Sequence, residues 1–148
     1  MSAGCGFITC AVKRRGIESC CECGERGSCE RWARHRAAGR EHDSFVSYAA
    51  LEDNIALIEA EGIAAFDAHQ QVREGLLREM LDGFDEGRSK TYYSVAVTLL
   101  DVDEVRSALG TARSAAGPDA GVQVLAAALH AALDARAAVR GVRIGLRT

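Results

Sequence analysis

The chain reads as mainly α-helical: an N-terminal cysteine-rich zinc knuckle packed on a helical body of about five helices. Three observations predict this. All six cysteines fall between Cys5 and Cys29. From Ser28 onward, apolar residues recur at spacings of three and four, the period of an amphipathic helix. The single proline, Pro118, falls where a helix is expected to end. The division that follows is a metal-binding module over residues 1–28 and a helical body over 29–148.

The body can be read element by element. Ser28 is placed to cap a short helix from Cys29 to about Ala38, ended near Gly39. Residues 41–47 form a polar connection. A second helix runs from about Ser47 to Glu61, with Tyr48, Leu51, Ile55 and Ile58 on one stripe and Gly62 past its end. A third covers Ile63 to Phe84, with Phe66, Leu76, Leu77, Met80, Leu81 and Phe84 as its apolar positions. Asp85-Glu86-Gly87 then breaks the chain. Asp101 with Glu104 three residues on forms a capping box for a helix to about Ser114, closed by Gly117-Pro118. The last helix spans about Ala120 to Arg140 and stops at Gly141. Its small residues between Ala126 and Ala138 suit close helix packing.

Two segments carry mixed signals. Tyr93, Val95, Val97 and Leu99 alternate as in a strand over residues 93–99, yet Ala96, Leu99 and Leu100 suit a buried helix, and the helical reading of Lys90 to Leu100 is preferred. Residues 142–146 alternate like a short edge strand.

Composition sets outer limits. With 148 residues, 48% hydrophobic and 26% charged, the chain suits one domain, or a small module fused to a modest one. A net charge of −3 argues against binding polyanions through bulk charge. No run of 18 apolar residues points to a membrane span. The opening Met-Ser-Ala-Gly-Cys has neither the basic nor the apolar region of a signal peptide, which predicts a cytoplasmic protein. Thiols are kept reduced there, so the cysteines are expected as metal ligands or redox groups, not disulfides.

The cysteine spacing is the most specific signal. Cys5-x4-Cys10 is followed by Cys20-x2-Cys23 and then Cys29, with Cys21 inside the second pair. A segment this short seldom builds a core of its own, and a metal is a usual substitute. Zinc takes four tetrahedral ligands, with thiolate its common structural partner, and a Cys-x2-Cys turn presents two sulfurs to one ion. Cys5, Cys10, Cys20 and Cys23 are therefore the expected ligands, with Cys29 as first substitute. Lys13, Arg14, Arg15 and Arg26 would offset the charge of four thiolates on one zinc.

The segments Cys5-Gly-Phe-Ile-Thr-Cys10-Ala, Arg15-Gly16-Ile17-Glu18-Ser19-Cys20-Cys21-Glu22-Cys23 and Cys29-Glu30-Arg31-Trp32 resemble a prokaryotic cysteine-rich family, domain of unknown function 3795 (DUF3795). Asn54 to Ile58 and Asp85 to Tyr93 are similar to segments of its longer members, so the resemblance covers roughly residues 5–100. It implies a zinc-binding module and no particular activity. Members carry a further upstream cysteine block that has no counterpart here. The Phe-Pro often found before the last cysteine is replaced by Arg26-Gly27-Ser28. Cys21 and Cys29 are then either ligands left over from that block or members of a rearranged site.

Other readings stay beside the zinc. An iron–sulfur cluster also uses four cysteines, although the spacing follows neither common ferredoxin pattern. Cys21 and Cys29 are candidates for thiol redox chemistry, Cys29 because a helix N-terminus lowers a thiol's pKa. Of 18 basic residues, eight lie between Lys13 and Arg40 against four acidic ones, so Lys13, Arg14, Arg15, Arg31 and Arg34 are candidates for contact with an anion or nucleic acid. The bland alternative, a solvated helix face with counter-charges for thiolates, is preferred. His35 and His42 lie near the cysteines and could complete a mixed site. His69 and His130 have no partner evident from spacing. Ser89 reads as an ordinary helix cap. The function expected is a small metal-binding protein acting through a protein partner or regulation, more readily than an enzyme, with a nucleic-acid-binding regulator as the alternative.

Overall fold

The computed structural model describes residues 5–41 and 50–145, and among these it contains helices and turns but no strand. Helix α1 is short, Gly6–Ile8, and continues directly into a π-helical stretch, Thr9–Arg15. The rest comprises α2 (Glu30–Glu41), α3 (Leu51–Glu61), α4 (Ile63–Phe84), α5 (Lys90–Leu99), α6 (Val102–Ala116) and α7 (Val122–Arg140).

The helical boundaries follow local chemistry. Gly62 takes a φ of 88° between α3 and α4, a conformation that residues with a Cβ rarely adopt, so the chain can turn there without a loop. The capping box at α6 forms, with the Glu104 carboxylate accepting the Asp101 N–H at 2.8 Å. Gly141 ends α7 in the left-handed region, and the Val142 N–H reaches back to the Ala137 carbonyl at 3.0 Å. That bond closes a Schellman motif.

Four expectations need correction. Gly39 does not end α2, which runs on to Glu41. The helix begins after Cys29, whose carbonyl accepts the Ala33 N–H at 3.0 Å, while the Ser28 hydroxyl bonds Glu25 instead of capping it. The strand alternative over 93–99 fails. That segment is α5, with Tyr93, Val95, Ala96 and Val97 all buried. A helix covered on most sides loses its one-sided stripe and can mimic alternation. Residues 142–144 form no strand either: they leave the Schellman turn and seat Ile144 in the core. The expected start of the second helix at Ser47 and Tyr48, and Leu146, lie outside the described residues.

The core gathers Met80 and Phe84 of α4, Tyr93 and Ala96 of α5, Val105 and Leu109 of α6, and Leu129 and Leu133 of α7. Between α6 and α7, Ala108, Ala112, Ala126 and Ala137 are buried, so small side chains let the two backbones approach. By length and composition α7 could cross a membrane, although Asp134 and Arg136 interrupt it. In this fold its Ala126–Leu129–Leu133–Ala137 stripe is spent on the core.

The N-terminal segment rests on α2 and α3. Phe7 packs against the His35 ring at 4.9 Å and edge-on to Trp32 at 6.3 Å. Arg31 donates to the Gly6 carbonyl at 2.6 Å. Arg26 pairs with Glu59 at 2.9 Å, and Arg36 grips both carboxylate oxygens of Glu52. These contacts hold the cysteine segment to the end of the bundle where α2 and α3 meet.

Candidate metal centre

Two 3₁₀ turns and a π-helical stretch place the cysteines. Ser19 starts the first: its hydroxyl accepts the Cys21 N–H at 3.1 Å, and the Glu22 carboxylate accepts the Ser19 N–H at 3.1 Å. This reciprocal cap supports a 3₁₀ turn over Cys20–Glu22, closed by Cys23 N–H to the Cys20 carbonyl at 3.2 Å. The turn is what brings Cys20 and Cys23 to one side. A second 3₁₀ turn, Arg26–Ser28, delivers Cys29 to the start of α2. From the other direction comes Cys10, on the π-helical stretch that Gly16 ends with a φ of 67°.

The result is a cavity of about 510 Å³ whose wall includes Cys10, Cys20, Cys23 and Cys29. All four are half-buried. Arg14, Arg15, Arg26 and Arg31 also line it, with Trp32 and Phe7 supplying aromatic wall. Burial pushes the Cys20 thiol above its ordinary pKa, and the neighbouring Cys10, Cys23, Cys29 and Cys21 add to the effect. Arg15 bonds the Glu25 carboxylate and also reaches Cys10, which holds its guanidinium charge still more firmly; Glu25 is correspondingly lowered. As they stand, no three Cys, His, Asp or Glu side chains among the described residues converge closely enough to hold a metal ion.

The structure sorts the predicted residues. Cys10, Cys20 and Cys23 share the cavity, and so does Cys29, the expected substitute. Cys5 stands apart: it is exposed and is not part of that wall. Linear spacing does not set which cysteines meet: Cys5 precedes α1, whereas Cys10 lies on the π-helical stretch that follows it. Backbone N–H groups of Ile8 and Phe7 hold the Cys5 thiol below its ordinary pKa. Cys21 is not part of that wall either; its backbone carbonyl accepts from Arg26 at 3.0 Å. His35 is part of the Phe7–Trp32 cluster, and His42 lies outside the described residues.

The basic segment is largely engaged within the molecule. Arg15, Arg26 and Arg36 are paired with carboxylates, and Arg31 with a backbone carbonyl. Lys13, Arg14 and Arg34 are exposed.

Two features escaped the sequence reading. Trp32 lines the cavity, and its Nε1 is buried with no hydrogen-bond partner among the described residues. Its signal was present only as the one aromatic residue on a basic helix. The second is Ser89, 1% exposed, whose hydroxyl meets His130 Nε2 at 2.7 Å instead of capping α5. No side chain caps α5; Asp85 instead braces the turn before it, accepting the N–H groups of Gly87 at 2.9 Å and Ser89 at 3.1 Å. Being buried, the Ser89 hydroxyl belongs to the packing of the bundle. No family model, curated protein or solved structure matches this chain.

Proposed function

We propose that the N-terminal segment is a metal-cofactor module in which Cys10, Cys20, Cys23 and Cys29 supply four thiolates, anchored on the helical body through α2 and α3. One observation carries this reading: of six cysteines, these four line a single cavity. The arginines around them support it, since four thiolates on a metal centre carry net negative charge that nearby guanidinium groups offset. Four protein sulfurs close the coordination shell of a metal such as zinc and leave no position for substrate. The output of such a module is binding or regulation through a partner, with the metal fixing the local fold.

Elemental analysis of anaerobically purified protein tests it. Metal is expected in the parent chain and in Cys21→Ser, and is expected to be lost from Cys20→Ser. Equal retention by both variants overturns the ligand set.

A further inference from the structure

We infer, independently of the thiolate reading, that the outward face of α7 is a self-association surface, on which a second copy of this chain docks its own α7 antiparallel about Ala131.

α7 is apolar on two sides. Ala126, Leu129, Leu133 and Ala137 are buried in the core. On the opposite side Val124, Ala127, Ala131, Ala135 and Ala138 recur at spacings of three and four, so they share one face. All five are exposed, Val124 by 54%. The helix is apolar and long enough to cross a membrane, yet only 22% of its apolar stretch is buried. Asp134 and Arg136 flank the outer face and are bonded within the chain, to Tyr92 at 2.6 Å and to Ser107 at 2.7 Å. A continuous apolar face left in water marks an interaction surface.

The order of residues along that face identifies the occupant. Its five positions are symmetric about Ala131. When two copies of α7 run antiparallel with Ala131 on the twofold axis, Val124 of one copy meets Ala138 of the other, and Ala127 meets Ala135. A surface that matches itself on reversal is what an isologous contact requires. Alanine side chains let the two helices approach to about 8 Å, the near end of the range for packed helices.

Charge agrees with the same register. It brings Asp119, in the turn before α7, level with Arg143, just past the end of α7 in the other copy. Both are exposed, and neither forms an ion pair among the described residues. Each end of the pairing thus joins opposite charges. A lipid surface suits the face less well, because single methyl groups bury little apolar area. The 19 residues of α7 span about 28 Å. One helix face is small beside the roughly 800 Å² per partner of a standard interface, so the dimer is weak and concentration-dependent.

The test is sedimentation velocity of the whole chain over a concentration series, with co-sedimentation on neutral phospholipid vesicles in parallel. A monomer–dimer equilibrium is expected. Ala131→Glu sets two like charges against each other on the axis and should abolish the dimer, and far-UV circular dichroism checks that the variant remains helical. Asp119→Arg or Arg143→Asp alone should weaken the dimer about two- to thirtyfold, since two symmetry-related exposed pairs are lost. The two together should restore it. A chain that stays monomeric throughout overturns the proposal, as does a dimer indifferent to Ala131→Glu. Failure of the double charge reversal to restore association overturns the antiparallel register. Vesicle binding by a monomer, lost in Ala131→Glu, overturns the second copy in favour of a lipid surface.

Discussion

Ser89 Oγ and His130 Nε2 lie 2.7 Å apart, joining the turn before α5 to the middle of α7. The same hydroxyl bonds both carboxylate oxygens of Glu86, at 2.8 and 3.0 Å. An ionised carboxylate only accepts, so Ser89 spends its one proton on Glu86, and His130 must donate its Nε2–H to Ser89. The imidazole is held in that orientation by stacking on Tyr92, 4.0 Å between centroids with planes 7° apart. Tyr92 in turn donates to Asp134 at 2.6 Å. Burial and that bond together push the Tyr92 phenol above its ordinary pKa.

The joint should therefore be measurable as a coupling. Ser89→Ala leaves Glu86 and His130 each one partner short, and unfolding in urea should show a loss of about 1–3 kcal/mol. His130→Ala should act on the same interaction. The double variant should be less destabilised than the sum of the two. Strict additivity would contradict the coupling.

Acid should weaken the same turn. The Ser89 hydroxyl, chiefly, holds the Glu86 carboxyl below the usual carboxylate range. A depressed folded pKa means that the folded state binds the proton less readily than the unfolded chain. Its stabilising contribution is complete above the ordinary glutamate pKa of about 4.3 and disappears as pH falls through the lower folded value. Thermal unfolding followed from pH 7 downward should show Tm falling in that acid window, with Glu86→Gln flattening this part of the profile.

Arg73 secures the end of α5. It donates to the Val97 carbonyl and, at 2.7 Å, to the Leu100 carbonyl, so two acceptors left over at a helix C-terminus are satisfied by one guanidinium. Burial draws its pKa below the ordinary arginine value. Arg73→Met should cost about 1–3 kcal/mol by leaving those carbonyls without the donor. Amide exchange should quicken at the α5–α6 junction, and an unchanged exchange pattern would argue against the capping role.

The core makes a sharper contrast. Leu133 is fully buried, whereas Val139, on the same helix, is 87% exposed. Leu133→Ala should cost about 2–5 kcal/mol through lost burial and a cavity. Val139→Ala should stay within about 0.5 kcal/mol. Denaturant midpoints of the two variants decide the matter directly.

Thiol reactivity should separate Cys5 from Cys20. Cys5 is exposed and its thiol is lowered by the Ile8 and Phe7 N–H groups, whereas burial raises Cys20. In metal-free, reduced protein, a brief iodoacetamide pulse read by peptide mass spectrometry should label Cys5 ahead of Cys20. The reverse order would remove the physical distinction between them.

Much of the body could be read from local pattern. α4 has the bounds its apolar spacing predicts, and Asp101 with Glu104 forms the cap its motif announces. Both depend on residues within a turn or two of each other. α5 was ambiguous because burial on most of its surface erases the one-sided stripe on which a helical reading depends. The partner of His130 was illegible for another reason: Ser89 is 41 residues away, and only packing of α7 against the turn before α5 brings the two together.

The cysteine segment divides in the same way. By itself the sequence determined that thiols are concentrated before Cys29, that Cys20 and Cys23 share a turn, and that a helical body follows, because composition and short-range hydrogen bonding decide those things. Only the tertiary structure decided which cysteines keep company. It gathered Cys10 with Cys20, Cys23 and Cys29 in one cavity wall and left the exposed Cys5 outside it, because packing between segments remote along the chain, not linear spacing, decides which side chains share a cavity. It also set Trp32 in the wall of the same cavity, through packing of α1 against α2 that no spacing rule contains.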